Sequence, residues 1–322
     1  MNRFLVAMLL SSLLWISPIR AQPFNTAVVQ TPVADVRRSP FLPTAGESDD
    51  WQETQVLFGE SVVVKESSGT WLFIEALEQP EFTHNNRWEG YPGWVQATSL
   101  STATVSKPPT HVVSAKWASV YDRPGDTLLL RLPLSAKVCR LQERLGWMKI
   151  DLYNGRTGWV RSKQLHSLSG KWPPHRWRRQ ILVTALLFVG DPYVWGGLSP
   201  ADPTGQMRLA GVDCSGLVHL SYRLNGVIVP RDSMEQHLRA EKIRRAQLQP
   251  ADLIFSARAD QPDKITHVSL YEGKDWLIEA PQTSQVVHRI RGREKFGKPI
   301  EEIESGDVVG KRVITFGRYL PQ

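Results

Sequence analysis

A chain of 322 residues, 41% hydrophobic and 22% charged, has the make-up of an ordinary globular protein of two or three domains, which excludes a disordered or fibrous one. The formal charge of +7 is carried without a dense Lys/Arg stripe interleaved with aromatics on a recognisable module, so nucleic acid is not an expected partner. Two cysteines are too few for a disulfide scaffold. At the N-terminus Arg3 precedes an apolar run from Phe4 to Leu14, and Ala21 ends a cleavage site before Gln22. That run is well short of the roughly 20 residues that span a bilayer, and no cysteine follows it to carry a lipid. Residues 1–21 therefore read as a signal peptide, and the mature chain as periplasmic or secreted, with no stable membrane anchor. Losing Arg3 and Arg20 lowers the charge by two and leaves a modest excess that favours anionic partners.

An internal repeat comes next. Residues 53–100 carry Glu53 to Glu60, then Val62-Val63-Val64-Lys65, Gly69 to Ile74 and Gly93-Trp94-Val95-Gln96. Residues 126–165 repeat the order with Leu128-Leu129-Leu130, Ala136 to Cys139, Leu145 to Ile150 and Gly158-Trp159-Val160-Arg161. Short apolar strands with turns at this spacing predict two small all-β barrels, 22–106 and 107–169, that resemble bacterial SH3-like domains. Lys107-Pro108-Pro109-Thr110 separates them, and Gly170-Lys171-Trp172-Pro173-Pro174 ends the second.

Residues 170–322 change pattern. A helix is expected from Arg176 to Val189, and another opens at Cys214 and stops at Asn225-Gly226. Strands follow at 252–256, 266–272, 276–280, 286–290 and 313–319. Helices first and an antiparallel sheet after give an α+β fold.

A thiol at a helix start feels the positive end of the helix dipole, which favours thiolate. A lone cysteine there is more often a small buried hydrophobe, so the partners decide. His267 alternates with Ser269 and Tyr271 on one strand face, where an imidazole can take the proton of the Cys214 thiol and pass it to a leaving amine. Glu279 lies on the next strand. A three-residue loop, Gly273-Lys274-Asp275, sets it opposite Ser269 on the His267 face, where it can fix the imidazole tautomer; a two- or four-residue loop turns it away. Cys139 falls in the second barrel and Cys214 beyond it, so both thiols are expected to be free.

Pro192-Tyr193-Val194-Trp195-Gly196-Gly197, Asp213-Cys214-Ser215-Gly216, Ala251-Asp252-Leu253-Ile254-Phe255 and Thr266-His267-Val268-Ser269-Leu270-Tyr271 occur in the order and spacing of NlpC/P60 cysteine peptidases. The chain resembles that family over about residues 176–320. The resemblance implies a papain-like core that hydrolyses cell-wall peptides, with Cys214 as nucleophile, His267 as base and no metal or cofactor. Two features depart from the pattern. Glu279 stands where the family most often has histidine, and 198–210 looks like an insertion beside the expected cleft, placed to reshape it.

Upstream, two SH3-like domains before such a core resemble γ-D-glutamyl-L-diamino acid endopeptidases, which act on peptidoglycan stem peptides with a free N-terminal L-alanine. The resemblance implies that Gly59-Glu60, Tyr91, Asp232 and Ser233 hold the substrate amine. Tyr193, Asp213 and Ser215, inside the matched motifs, complete the expected substrate-binding set. A buried ammonium does need carboxylates and hydroxyls of this kind, although Asp232-Ser233 also reads as a helix cap. A monomer is favoured. The competing readings are a non-catalytic peptidoglycan-binding protein, and an amidase or acyltransferase on the same core.

Overall fold

Alternation of buried and exposed side chains builds the N-terminal sheet. In the computed structural model, which describes residues 25–42, 51–101, 108–168, 174–207 and 209–321, seven antiparallel strands lie between Asn25 and Ser101. Their order is Gln52–Leu57, Val33–Arg37, Glu89–Gln96, Trp71–Glu81, Ser61–Ser68, Asn25–Val29, Leu100–Ser101. Val36, Val56, Val62, Ile74 and Val95 are fully buried in its core. The signal peptide read at 1–21 lies outside the described residues, as do Lys107 and the Gly170–Pro173 part of the second break.

From His111 to Ser167 a five-stranded and a three-stranded antiparallel sheet follow. Val120, Leu132, Ile150 and Val160 fill this second unit, and Val28 and Phe58 of the first unit join them. The two β units therefore share apolar surface and are not separate beads. Gly59 permits the junction: it has φ +78°, and a Cβ there would stand 2.0 Å from the Lys137 carbonyl oxygen.

The C-terminal part carries four helices, α1 (Pro174–Leu186), α2 (Cys214–Arg223), α3 (Ser233–Arg239) and α4 (Gly292–Phe296). Its antiparallel sheet runs in the order Glu241–Lys242, Arg312–Arg318, Leu253–Arg258, Gln261–Gly273, Trp276–Glu279, His288–Arg291, with Val308–Val309 paired onto Arg312–Arg318. Ile181 within α1 and Phe188 just after it, Leu217 and Leu220 of α2, and Phe255, Val268 and Leu270 of the sheet form one core. Leu57 and Leu134 reach into it from the two β units.

One expected substrate contact falls at this meeting point. Glu60 is fully buried and does not border a cleft; its Oε1 accepts from Arg223 Nη1 of α2 at 2.6 Å and from the Leu57 N–H at 2.9 Å. Gly59-Glu60 is thus a junction between units and not an amine-binding turn. A buried charge whose partner is deleted costs about 3–5 kcal/mol. Glu78, 3.3 Å from Arg223, shares the charge and lowers that cost. Glu60→Ala is expected to lose about 3 kcal/mol of stability in urea unfolding; a loss within 0.5 kcal/mol, as at about any exposed pair, would show that the pair does not hold the units together.

Candidate active site

Asp213 caps α2 and so sets where Cys214 stands. Its Oδ1 accepts from the Gly216 N–H at 2.6 Å and from Ser215 Oγ at 3.2 Å, and its Oδ2 accepts from the Gly196 N–H at 3.0 Å. The fully buried Arg231 grips both oxygens, at 3.1 and 2.9 Å, and also donates to Ser215 Oγ at 3.0 Å and to Thr54 Oγ1 of the first β unit at 2.7 Å. A bidentate arginine fixes orientation as well as charge. The Asp213 and Ser215 side chains are therefore engaged in holding the helix start. Gly216 is packed so closely there that a Cβ would lie 2.3 Å from the Gly197 carbonyl oxygen.

Cys214 opens α2 and packs in one buried cluster with Val268, the residue after His267. This holds the thiol against the strand that carries the imidazole. His267 turns its Nε2 to Glu279 Oε2 at 2.7 Å, which leaves Nδ1 for the thiol. Ser269 Oγ donates to the same carboxylate oxygen at 2.7 Å.

Glu279 reaches this face by a different route from the one expected. The turn has two residues, Lys274 and Asp275, both with positive φ (49° and 67°), and Gly273 pairs with Trp276. A bulge between Tyr271 and Gly273 then adds the missing residue, so that Leu270 pairs with Ile278 and Glu279 falls opposite Ser269.

Lys295 of α4 also enters the cluster, 2.5 Å from Glu279 Oε2 and 3.4 Å from His267 Nε2. No local pattern in the sequence marks it. Burial opposes ionisation of Glu279, yet the hydrogen bond and charge of His267 and the ammonium of Lys295 hold its carboxyl well below the usual range.

A cleft of about 640 Å³ opens over Cys214. Tyr193, Trp195, Asp213 and Ser215 border it on the motif side, and Asp232, Ser233, Glu235, Lys264 and Thr266 on the other. The first β unit contributes Glu53, Thr83 and Tyr91. Tyr91, 2% exposed, donates its hydroxyl to Asp232 Oδ2 at 3.0 Å. Asp232 stands at the N-terminal boundary of α3 but makes no side-chain cap, so its carboxylate is directed to Tyr91 and Arg231 instead. Burial pushes the Asp232 carboxyl up to about 7, with Asp213 and Glu235 adding to the rise and Arg231 opposing it. Glu53 and Glu235 are cleft carboxylates that the sequence reading passed over. Glu235 accepts from the Thr83 N–H at 3.2 Å with one oxygen, while its other oxygen is buried without a partner.

The expectation for 198–210 changes. None of its described residues borders the cleft; they brace the loops behind it. Gln55 of the first β unit donates to the Leu209 carbonyl at 2.7 Å and accepts from the Leu198 N–H at 2.9 Å, and Trp117 of the second donates to the Ala201 carbonyl at 2.9 Å.

Residues 190–309 match the NlpC/P60 family. The γ-D-glutamyl-L-lysine dipeptidyl-peptidase of Bacillus cereus is 30% identical over 244 residues, which cover 74% of this chain and 70% of that one. The chain belongs to the NlpC/P60 family. The Bacillus subtilis protein of the same name is 28% identical over 246 residues, covering 74% and 76% of the two chains. The crystal structure of an NlpC/P60 family protein from Bacillus cereus superposes with a TM-score of 0.74 at 25% identity, over 92% of this chain and 100% of that one.

In this NlpC/P60 chain the helix dipole does not govern the thiol. Burial first, then the neighbouring Asp213 carboxylate, push Cys214 up to about 12 against the pull of its backbone donors and of Arg231. Burial also lowers His267, with Lys295 and Arg312 adding to the effect and Glu279 opposing it. Both shifts favour thiol and neutral imidazole over the ion pair. Alkylation of Cys214 by iodoacetamide in the empty protein is accordingly expected to keep climbing from pH 7 to pH 10, about as a raised thiol requires. A plateau reached below about pH 7 would reveal a preformed thiolate and overturn this assignment.

Proposed function

We propose that this protein is an exported cysteine peptidase of the bacterial cell wall. It cuts the γ-D-glutamyl–diamino acid bond of short peptidoglycan stem peptides that keep a free N-terminal L-alanine. Support for the substrate class comes from the relatives, which are named γ-D-glutamyl-L-lysine dipeptidyl-peptidases. The observation that carries the finer reading is the cleft wall to which the first β unit contributes Tyr91 and Glu53 beside Asp232 and Glu235. Glu53 is paired with Arg38 and Asp232 lies beside Arg231, yet three carboxylates and a hydroxyl bordering one cleft suit an ammonium group, whose desolvation they offset. A continuous glycan-linked peptide has no charge to place there.

The chemistry follows from the cluster beside the cleft. With substrate seated, His267 takes the Cys214 proton and the sulfur attacks the γ-carbonyl carbon. Backbone N–H groups at the start of α2 stabilise the oxyanion. The C–N bond then breaks, and the imidazolium gives its proton to the departing diamino acid amine. Water, deprotonated by His267, hydrolyses the thioester and releases L-Ala-γ-D-Glu with the thiol restored. Glu279 keeps Nε2 protonated throughout and balances the transient imidazolium.

Mass spectrometry of L-Ala-γ-D-Glu-diaminopimelate tests the reading. The parent is expected to release L-Ala-γ-D-Glu, and Cys214→Ala to release none; cleavage by Cys214→Ala would overturn the mechanism. N-acetylation of the alanine, or Asp232→Asn, should raise KM by about tenfold or more, the value of a charge-assisted hydrogen bond. The pH dependence has a definite sign. A carboxyl raised to about 7 is neutral below that pH, so KM for the free-amine peptide should fall as pH rises through about 7. The acetylated peptide should lack that trend, and equal KM for both peptides across this range would remove the amine site.

A further inference from the structure

The cationic neighbour of the catalytic carboxylate is unassigned by the chemistry above. Lys295 is 12% exposed in its side chain, so its ammonium is largely withdrawn from water. It does not sit at a distance that merely tints the field. It takes the same Glu279 oxygen that His267 and Ser269 use, and stands 3.4 Å from His267 Nε2 itself.

The surroundings of the imidazole come from six elements. Glu279 faces it from Trp276–Glu279, and Ser269 from its own strand. Lys295 approaches from α4, and Arg312 from Arg312–Arg318, where it also donates to Ser256 Oγ at 3.4 Å. Ser256 is the strand partner of His267 on Leu253–Arg258, and Cys214 lies at the start of α2. His288 stands 3.4 Å from the other oxygen of Glu279. A single carboxylate oxygen thus answers to His267, Ser269 and Lys295, while Arg312 acts on the imidazole through its charge.

We propose that Lys295 is a positioning residue of the catalytic centre, whose ammonium competes with the His267 ring for one oxygen of Glu279 and thereby keeps the imidazole neutral and proton-accepting at mildly acidic pH. Two effects act in the same direction. The positive charge beside Nε2 disfavours a second proton on the ring. The shared oxygen also leaves Glu279 less able to stabilise an imidazolium than an unshared carboxylate would be. The lowered imidazole agrees with both. The consequence is a base that stays available where an imidazole paired to a lone glutamate would already be protonated. The proposal rests on Cys214, His267 and Glu279 being the catalytic set.

NMR titration of the full chain reads the His267 midpoint directly, with His267→Gln identifying its resonance. In Lys295→Met the midpoint is expected to rise by about one pH unit, and in Lys295→Arg to stay within about 0.3 units of the parent. The acid limb of kcat/KM for L-Ala-γ-D-Glu-diaminopimelate should move up by the same amount in Lys295→Met and return in Lys295→Arg. A merely structural lysine would lower activity without moving either midpoint, and an unmoved midpoint in a folded variant overturns the proposal. Lys295→Gln replaces Lys295→Met if the latter does not fold, with the same expected shift. Should the parent leave the peptide uncut while the NMR midpoint moves, the peptidase reading fails and with it the catalytic role of Lys295, and only its electrostatic hold on His267 stands.

Discussion

The buried pairing of Arg231 with Asp213 is the contact on which the site depends. Arg231 is fully buried, so its charge is tolerable only because Asp213 answers both nitrogens and Ser215, Thr54 and the Gly197 carbonyl take the remaining donors. Those partners belong to three different pieces of the fold. Asp213 and Ser215 flank the nucleophile, Gly197 ends the loop that carries Tyr193 and Trp195, and Thr54 lies in the first β unit. Asp232, adjoining Arg231 in sequence, holds Tyr91. One guanidinium therefore ties helix start, motif loop and β unit into a single geometry. A lysine could not, because it lacks the planar fork that meets both carboxylate oxygens at once.

Burial on this scale has an electrostatic cost that the site turns to use. Removing water raises the Cys214 thiol and lowers the His267 imidazole, so the ion pair is disfavoured in the empty cleft. At the thiol, burial and the Asp213 carboxylate outweigh the pull of the helix dipole. A neutral thiol is also a poorer target for adventitious alkylation or oxidation than a thiolate.

Local chemistry was legible in the sequence and long-range pairing was not. The repeat, the start of α2 and the alternation of His267, Ser269 and Tyr271 are properties of neighbouring residues. Glu279 illustrates the limit. Its partner opposite Ser269 matches the expectation, but a shorter turn and a bulge replace the single three-residue loop, and two departures of opposite sense leave no trace in a hydrophobic pattern. Glu60 fails for another reason. A Gly-Glu turn after a strand looks the same whether the carboxylate meets a ligand or an arginine, and here the arginine is Arg223, far along the chain. Lys295, Glu53 and Glu235 carry no motif at all; only the folded cleft brings them to Glu279 and Asp232.

The contacts between the first β unit and the catalytic part explain why that unit belongs to the site and is not a tether. They include six hydrogen bonds, three buried and three part-buried: Gln52 with the Trp195 carbonyl, Gln55 with Leu198, Ser199 and Leu209, Thr54 with Arg231, and Tyr91 with Asp232. An apolar interface of the same size would tolerate sliding by a few tenths of an ångström. Buried polar groups do not, since each loses its partner when the surfaces shift and is left desolvated at a cost of about 1–3 kcal/mol. Such an interface is expensive to misalign, which is what a cleft needs when one of its walls comes from another unit. Tyr91 and Glu53 are thus held in fixed positions beside the cleft that contains Cys214, which makes the first β unit a wall of that cleft and not a separate attachment.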